Sequence, residues 1–141
     1  MRGPSRLGYL VHATPAGHVF ARRGPVGALQ ALANGRLEQL AFHSNGHQYV
    51  DSYGTASLRR VSSARISDND RMFAGTGLGL IVLNEPCPHL VCASATVSKL
   101  ATNGARSGTL TVPGAFSVLT GPKGAVVTLS GGHMSLVRIT S

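Results

Sequence analysis

Apolar positions along this chain mostly come in short runs broken by turn residues, a pattern that predicts a mainly β fold of the α+β kind. Residues 7–12, LGYLVH, are apolar with β-branched and aromatic members. Ala13-Thr14-Pro15-Ala16-Gly17 supplies a turn and His18-Val19-Phe20-Ala21 a second run, so an N-terminal hairpin is expected. Over residues 25–41 the spacing changes: Val26, Leu29, Leu32, Leu37 and Leu40 fall on one side of a helix. Pro25 suits a first helical turn, and Asn34-Gly35 is able to split this segment into two short helices.

Residues 43–71 are polar and predict loops around one or two short strands near 48–50 and 57–61. The run GLGLIVLNE then predicts a strand buried on both faces, ended by Pro86 and Pro88. Residues 89–100 fit a helix or another strand. Leu90, Val97 and Leu100 have helical spacing, whereas Val91, Ala93, Ala95 and Val97 alternate. The tail is plainer: GTLTV, AFSVLT, GAVVTLS and HMSLVRIT are short runs separated by Pro and Gly pairs, the rhythm of an antiparallel meander or small sandwich. No internal repeat aligns, and no linker divides the chain, so residues 1–141 are expected to form a single domain.

Composition restricts the chemistry. Only Glu38, Asp51, Asp68, Asp70 and Glu85 are acidic, against 13 Lys and Arg, for a formal net charge of +8. Carboxylate-driven mechanisms have few groups to draw on, and a polyanion is the partner such a field attracts. Eleven of the 13 cations are Arg, and nine lie at or before Arg71. Arg59, Arg60, Arg65 and Arg71 form the densest basic group, with Tyr49 and Tyr53 nearby as stacking residues, and are the candidate contacts to nucleic acid. Charged residues make up only 13% of the chain against an ordinary ~25%, which favours a surface partly covered by other subunits. Neither a signal-peptide core nor a run of the ~20 apolar residues needed to span a membrane is visible, so a virion or cytoplasmic location is expected, with no membrane partner.

The sharpest local pattern is Asn84-Glu85-Pro86-Cys87-Pro88-His89-Leu90-Val91-Cys92. A strand running into Pro-Cys, with a second Cys five residues on and another strand at 108–112, resembles the zinc half-site of the cytidine deaminase superfamily over residues 79–112. The resemblance implies zinc held by Cys87 and Cys92 together with a histidine, for which His47 is the candidate. The family's His-x-Glu half is absent: His43 is followed by Ser44-Asn45 and His47 by Gln48-Tyr49, so no residue is placed to activate a zinc-bound water. A structural zinc site drawn from His43, His47, Cys87, His89 and Cys92 is a second arrangement, and two small buried thiols a third. A thiol nucleophile, Cys87 or Cys92 with His89 or His47 and an orienting Asp51, is conceivable, but His89 stands only two residues from Cys87, a spacing that rarely aligns the pair; no Gly-x-Ser-x-Gly elbow exists, and Gly75-Thr76-Gly77-Leu78-Gly79 precedes a strand and lacks a phosphate-loop lysine.

These readings rank a non-enzymatic structural subunit of a larger assembly first, homo-oligomeric and of the virus or phage particle kind, capsid-associated or decorating. A zinc-dependent deaminase-fold protein acting on nucleic acid, degenerate or active, and a basic nucleic-acid-binding accessory protein are the alternatives. No cofactor is expected under the first reading, and zinc under the second.

Overall fold

A computed structural model describes residues 7–31, 35–75, 79–84, 94–113, 118–120, 125–130 and 133–138. Every neighbouring strand pair is antiparallel and consecutive in sequence. Strands β1 (Leu7–Ala13) and β2 (Val19–Pro25) form a hairpin. A four-stranded meander follows, made of β3 (Gly27–Ala31), β4 (Arg36–Phe42), β5 (Gln48–Gly54) and β6 (Arg60–Arg65). A second one contains β7 (Asp70–Gly75), β8 (Gly79–Asn84), β9 (Ser94–Leu100) and β10 (Arg106–Pro113). Strands β11 (Val118–Thr120), β12 (Ala125–Ser130) and β13 (His133–Arg138) close the chain as a three-stranded sheet. The mainly β expectation, the N-terminal hairpin and the antiparallel tail are therefore present. The described residues include no helix long and apolar enough to cross a membrane.

The two four-stranded meanders face each other across one core. Leu40, Val50 and Ile66 from the first meander and the chain just after it pack with Leu80, Val82 and Leu100 from the second, with Ala64 at the margin. Complete burial of side chains this size contributes about 1.5–3 kcal/mol each, so this seam is the main attachment between the sheets. The opposite face of β8 is buried too, through Ile81 and Leu83, and β11 comes against β7. The short link from β6 to β7 is fastened to β5, where Gln48 donates its backbone N–H to Asp68 Oδ1 (2.8 Å) and its side-chain amide to the Asp70 carbonyl (2.6 Å).

One turn recurs. Three hairpins close with the same pair of backbone bonds: Gly17 N–H to Thr14 O, Gly46 N–H to His43 O and Gly104 N–H to Ala101 O, each 2.9 Å, beneath a closing bond from Thr14, His43 or Ala101 N–H to the carbonyl four residues on. The glycines sit at φ +83°, +77° and +84°, the left-handed position of a three-residue hairpin loop that ends in a bulge. Asn45 Oδ1 and Asn103 Oδ1 each accept a further N–H two residues ahead. Gly35, between β3 and β4, has φ +76°. The chain thus repeats a hairpin rather than a sequence, which alignment of side chains does not detect.

The helix expected over residues 25–41 is replaced by the end of β2, β3 and β4. Strand β4 is buried on both faces, Glu38 and Leu40 on one and Gln39 and Ala41 on the other, so its alternation disappears from the sequence. Gly27 shows how tightly β3 lies on β4, since a Cβ there would run into the Leu40 carbonyl. Residues 43–71, expected to be mostly loop, contain β5 and β6, and β5 supplies Val50, Asp51, Ser52 and Tyr53 to the interior. Of the ambiguous segment 89–100, residues 94–100 are strand β9, while 89–93 lie outside the described residues.

Candidate interaction surfaces

Arginines gather where the N-terminal hairpin meets the first meander. A cleft of about 380 Å³ is lined by Leu10, Arg22, Arg23 and Gly24 from the hairpin and by Gln39, Tyr53, Arg59 and Arg60 from the meander, with Pro25 at the junction. Its floor is preorganised by two hydrogen bonds: the buried Tyr53 hydroxyl donates to Gln39 Oε1 (3.1 Å), and Gln39 Nε2 donates to the Pro25 carbonyl (3.0 Å). Burial, followed by the charge of Asp51, pushes the Tyr53 phenol pKa upward, against the pull of Arg60 and Arg22. The hydroxyl is therefore a donor at neutral pH.

Two backbone irregularities aim the meander's arginines. Leu58 adopts φ +51°, a left-handed conformation that costs a non-glycine residue about 1–2 kcal/mol. Its side chain is only 1% exposed, and the burial of a leucine, about 1.5–3 kcal/mol, offsets that strain. Gly54 accepts from Leu58 N–H and donates to the Arg59 carbonyl, so this turn presents Arg59 immediately before β6. Between Ser52 and Tyr53 the pairing of β5 with β6 shifts by one residue: Ser52 opposes Ser62, but Tyr53 opposes Arg60. Val61 is the extra residue of this β-bulge. In an uninterrupted ladder Arg60 would oppose Gly54 and leave the Tyr53 row.

Asp51 lies behind the cleft, 0% exposed, and gathers polar partners across two strands and a turn. Its Oδ2 is 2.7 Å from His43 Nε2, its Oδ1 accepts from the Ser63 hydroxyl at 2.5 Å, and Arg60 is 3.7 Å away. The His43 ring stacks on Tyr49 with centroids 4.1 Å apart. Serine and histidine each bond the acid rather than each other, so this is an orienting network and no nucleophile–base pair. Arg22, Arg23 and Arg59 form no ion pair among the described residues. A second pocket of about 360 Å³ adjoins the cleft and shares Pro25 and Arg60 with it. Leu7, Phe42, His43 and Ser44 complete its lining.

No family model, curated protein or solved structure matches this chain.

The four arginines singled out in sequence are not one group. Arg59 and Arg60 line the cleft. Arg65 lies at the far end of β6, with its guanidinium 3.0 Å from His47 Nδ1, and Arg71 belongs to β7 in the other sheet. Tyr53 is buried under the cleft and presents no open ring, while Tyr49 is occupied by His43. His47 also lies 3.2 Å from Asp68, whose carboxyl is held below its ordinary pKa chiefly by the Gln48 N–H, with His47 adding to the effect. His43 and His47, which one of the zinc arrangements drew together, thus turn to different acids. Cys87, His89 and Cys92 lie outside the described residues. Arg22 and Arg23 were not among the expected contacts. The signal available for them was the recurrence of Arg-Arg at 22–23 and 59–60, which becomes a site only when the hairpin brings the two pairs together.

Proposed function

We propose that this chain is a non-enzymatic interaction subunit of a larger assembly of the virus or phage particle kind, and that it meets a second copy of itself through the outer face of the β1–β2 hairpin. The observation carrying this reading is the composition of that face. Its four cross-strand rows are Leu7 with Pro25, Tyr9 with Arg23, Val11 with Ala21, and Ala13 with Val19. Tyr9 is 72% exposed, Val11 57% and Val19 65%. An isolated two-stranded hairpin is marginally stable in water, and covering such a face supplies the missing burial. The occupant follows from charge. With five acidic residues in the whole chain, a contact between copies has few salt bridges to draw on, but a two-fold axis through this face sets the Arg23 guanidinium of one copy against the Tyr9 ring of the other, a cation–π contact that needs no acid.

Sedimentation velocity over a concentration series tests the proposal. The wild-type chain is expected to self-associate, and Val11→Asp to sediment as a monomer with a circular-dichroism spectrum like that of the parent. A wild-type chain that stays monomeric at every concentration, or a Val11→Asp chain that associates as well as wild type, refutes it.

A further inference from the structure

We propose that the arginine cleft and the pocket beside it form one binding site for single-stranded nucleic acid, with the cleft holding backbone phosphates and Phe42 stacking a base. This site adjoins the proposed subunit contact, since Leu7, Arg23 and Pro25 also belong to that hairpin face, and its phosphate contacts are Arg22, Arg59 and Arg60. Four guanidinium groups line the cleft; Arg23 is shared with the hairpin contact, and Arg22 and Arg59 have no carboxylate partner among the described residues. Its nearest acid, Asp51, is buried and already engaged by His43 and Ser63. Planar guanidinium forks match phosphate oxygens, and the strained Leu58 turn and the Val61 bulge fix two of them before any ligand arrives.

The adjoining pocket decides which polyanion fits. It is walled by Leu7, Pro25 and Phe42, and Phe42 is 46% exposed although it is a large aromatic. A sulfated polysaccharide or polyphosphate has nothing flat and apolar to place there. A duplex keeps its bases stacked inside the helix. A single strand presents a phosphate and an unstacked base on adjoining positions, and the shared Arg60 and Pro25 make the two pockets adjoining positions of one site. His43, at the inner wall, is kept in place by Asp51 and Tyr49.

The chain contains no Trp, so Phe42→Trp installs a single indole in the pocket, excited selectively beyond the tyrosine absorption band. Titration with oligothymidylate is expected to quench the indole, while heparin and a DNA hairpin duplex bind more weakly and leave its emission unchanged. Binding measured by anisotropy should weaken about 20-fold from about 50 to about 200 mM salt if three phosphates are held, and the combined change Arg22→Gln and Arg59→Gln should reduce the logarithmic salt slope by about 1.4. Phe42→Ala, which keeps the arginines, should weaken oligothymidylate about 5- to 150-fold with the salt slope unchanged. Heparin or duplex binding as tightly as oligothymidylate, or binding without indole quenching, overturns the base contact. Absence of binding at low salt, or a salt slope unaffected by the arginine changes, overturns the site. Sedimentation of the Arg22→Gln, Arg59→Gln chain keeps the two proposals apart, because self-association through Tyr9 and Val11 is expected to persist in it.

Discussion

Replacing Glu38 by Gln should make the folded chain more stable at neutral pH and leave it unchanged in acid. Glu38 stands in β4 on the face turned toward the second sheet, at the head of a polar row that continues through Ser52 in β5 to Ser62 in β6. It is 0% exposed. Its Oε2 accepts from the Ser52 hydroxyl at 2.5 Å, and its Oε1 has no hydrogen-bond partner among the described residues. Burial raises its pKa above the ordinary value of 4.5; the Ser52 hydrogen bond and Arg36 pull it down and Asp51 pushes it up, but burial is the largest influence. The folded state therefore holds the Glu38 proton more tightly than the unfolded state does. The stability this confers is complete below the unfolded pKa and is lost as pH rises through the folded one.

The Glu38→Gln chain has no charge to bury at this position: the new amide keeps an acceptor for Ser52 and has no proton to lose. An unsatisfied buried polar atom costs about 1–3 kcal/mol and a charged one more. The amide nitrogen inherits part of that cost, so the net gain at neutral pH is about 1–2 kcal/mol, or about 3–8 °C in melting temperature for a chain of this size. Thermal melts followed by circular dichroism across the range from acid to neutral should show the two chains together below the ordinary glutamate pKa and diverging above it. A Glu38→Gln chain that is less stable at neutral pH, or shifted equally at every pH, would refute the reasoning.

Two further substitutions test the fold. Gly17 and Gly104 hold the same place in the same turn, but a Cβ on Gly17 meets open space whereas one on Gly104 comes within 3.2 Å of the Arg65 carbonyl and 3.3 Å of Ala64 Cβ. Gly17→Ala should cost about 1–2 kcal/mol, the left-handed strain alone, and Gly104→Ala visibly more; urea midpoints in the reverse order would contradict the packing of that loop against β6. Asp51→Ala removes the acceptor for His43 and Ser63 and the counter-ion of Arg60, and should cost about 3–5 kcal/mol, against about 1 for Ser63→Ala. Equal urea midpoints for these two chains would show that Asp51 does not organise the network.

The parts of the fold legible in the sequence are those where one local signal has one meaning. Leu80-Ile81-Val82-Leu83 is apolar throughout and forms a strand buried on both faces. Thr14-Pro15-Ala16-Gly17 sits between two apolar runs and closes a hairpin. The first meander was obscured by its polar interior. Glu38 with Ser52, Gln39 with Tyr53 and Asp51 with Ser63 satisfy one another across strands, so residues that look solvated in sequence are buried in pairs. Leu37 and Leu40, three apart, then imitate a helix. The cleft was half visible: Arg59 and Arg60 stand out locally, but Arg22 joins them only through the hairpin's return to the meander, and the bulge that turns Arg60 toward Tyr53 has no marker in the sequence beyond Val61 itself.

The scarcity of acids matters less than where they are. Glu38, Asp51 and Asp70 are buried. Glu38 engages Ser52, Asp51 engages His43 and Ser63, and Asp70 engages Arg106, Asn84 and the Ser67 N–H. Among the described acids only Asp68 is exposed, and it lies beside His47 and Gln48, at the end of the meander opposite Tyr53 and Arg60. The carboxylates thus organise the interior and leave the arginines of the cleft to set the field outside. A second copy approaching the side of Arg22, Arg59 and Arg60 would meet its own charge, so like-sign repulsion directs contact between copies to another face, while an anion gains from these guanidinium groups. The outer hairpin face carries Arg23 alone among apolar neighbours, and Tyr9 beside it offers that cation a partner without charge. The distribution of the four described acids accounts for both surfaces: an apolar one suited to a like-charged copy, and a basic one suited to phosphate.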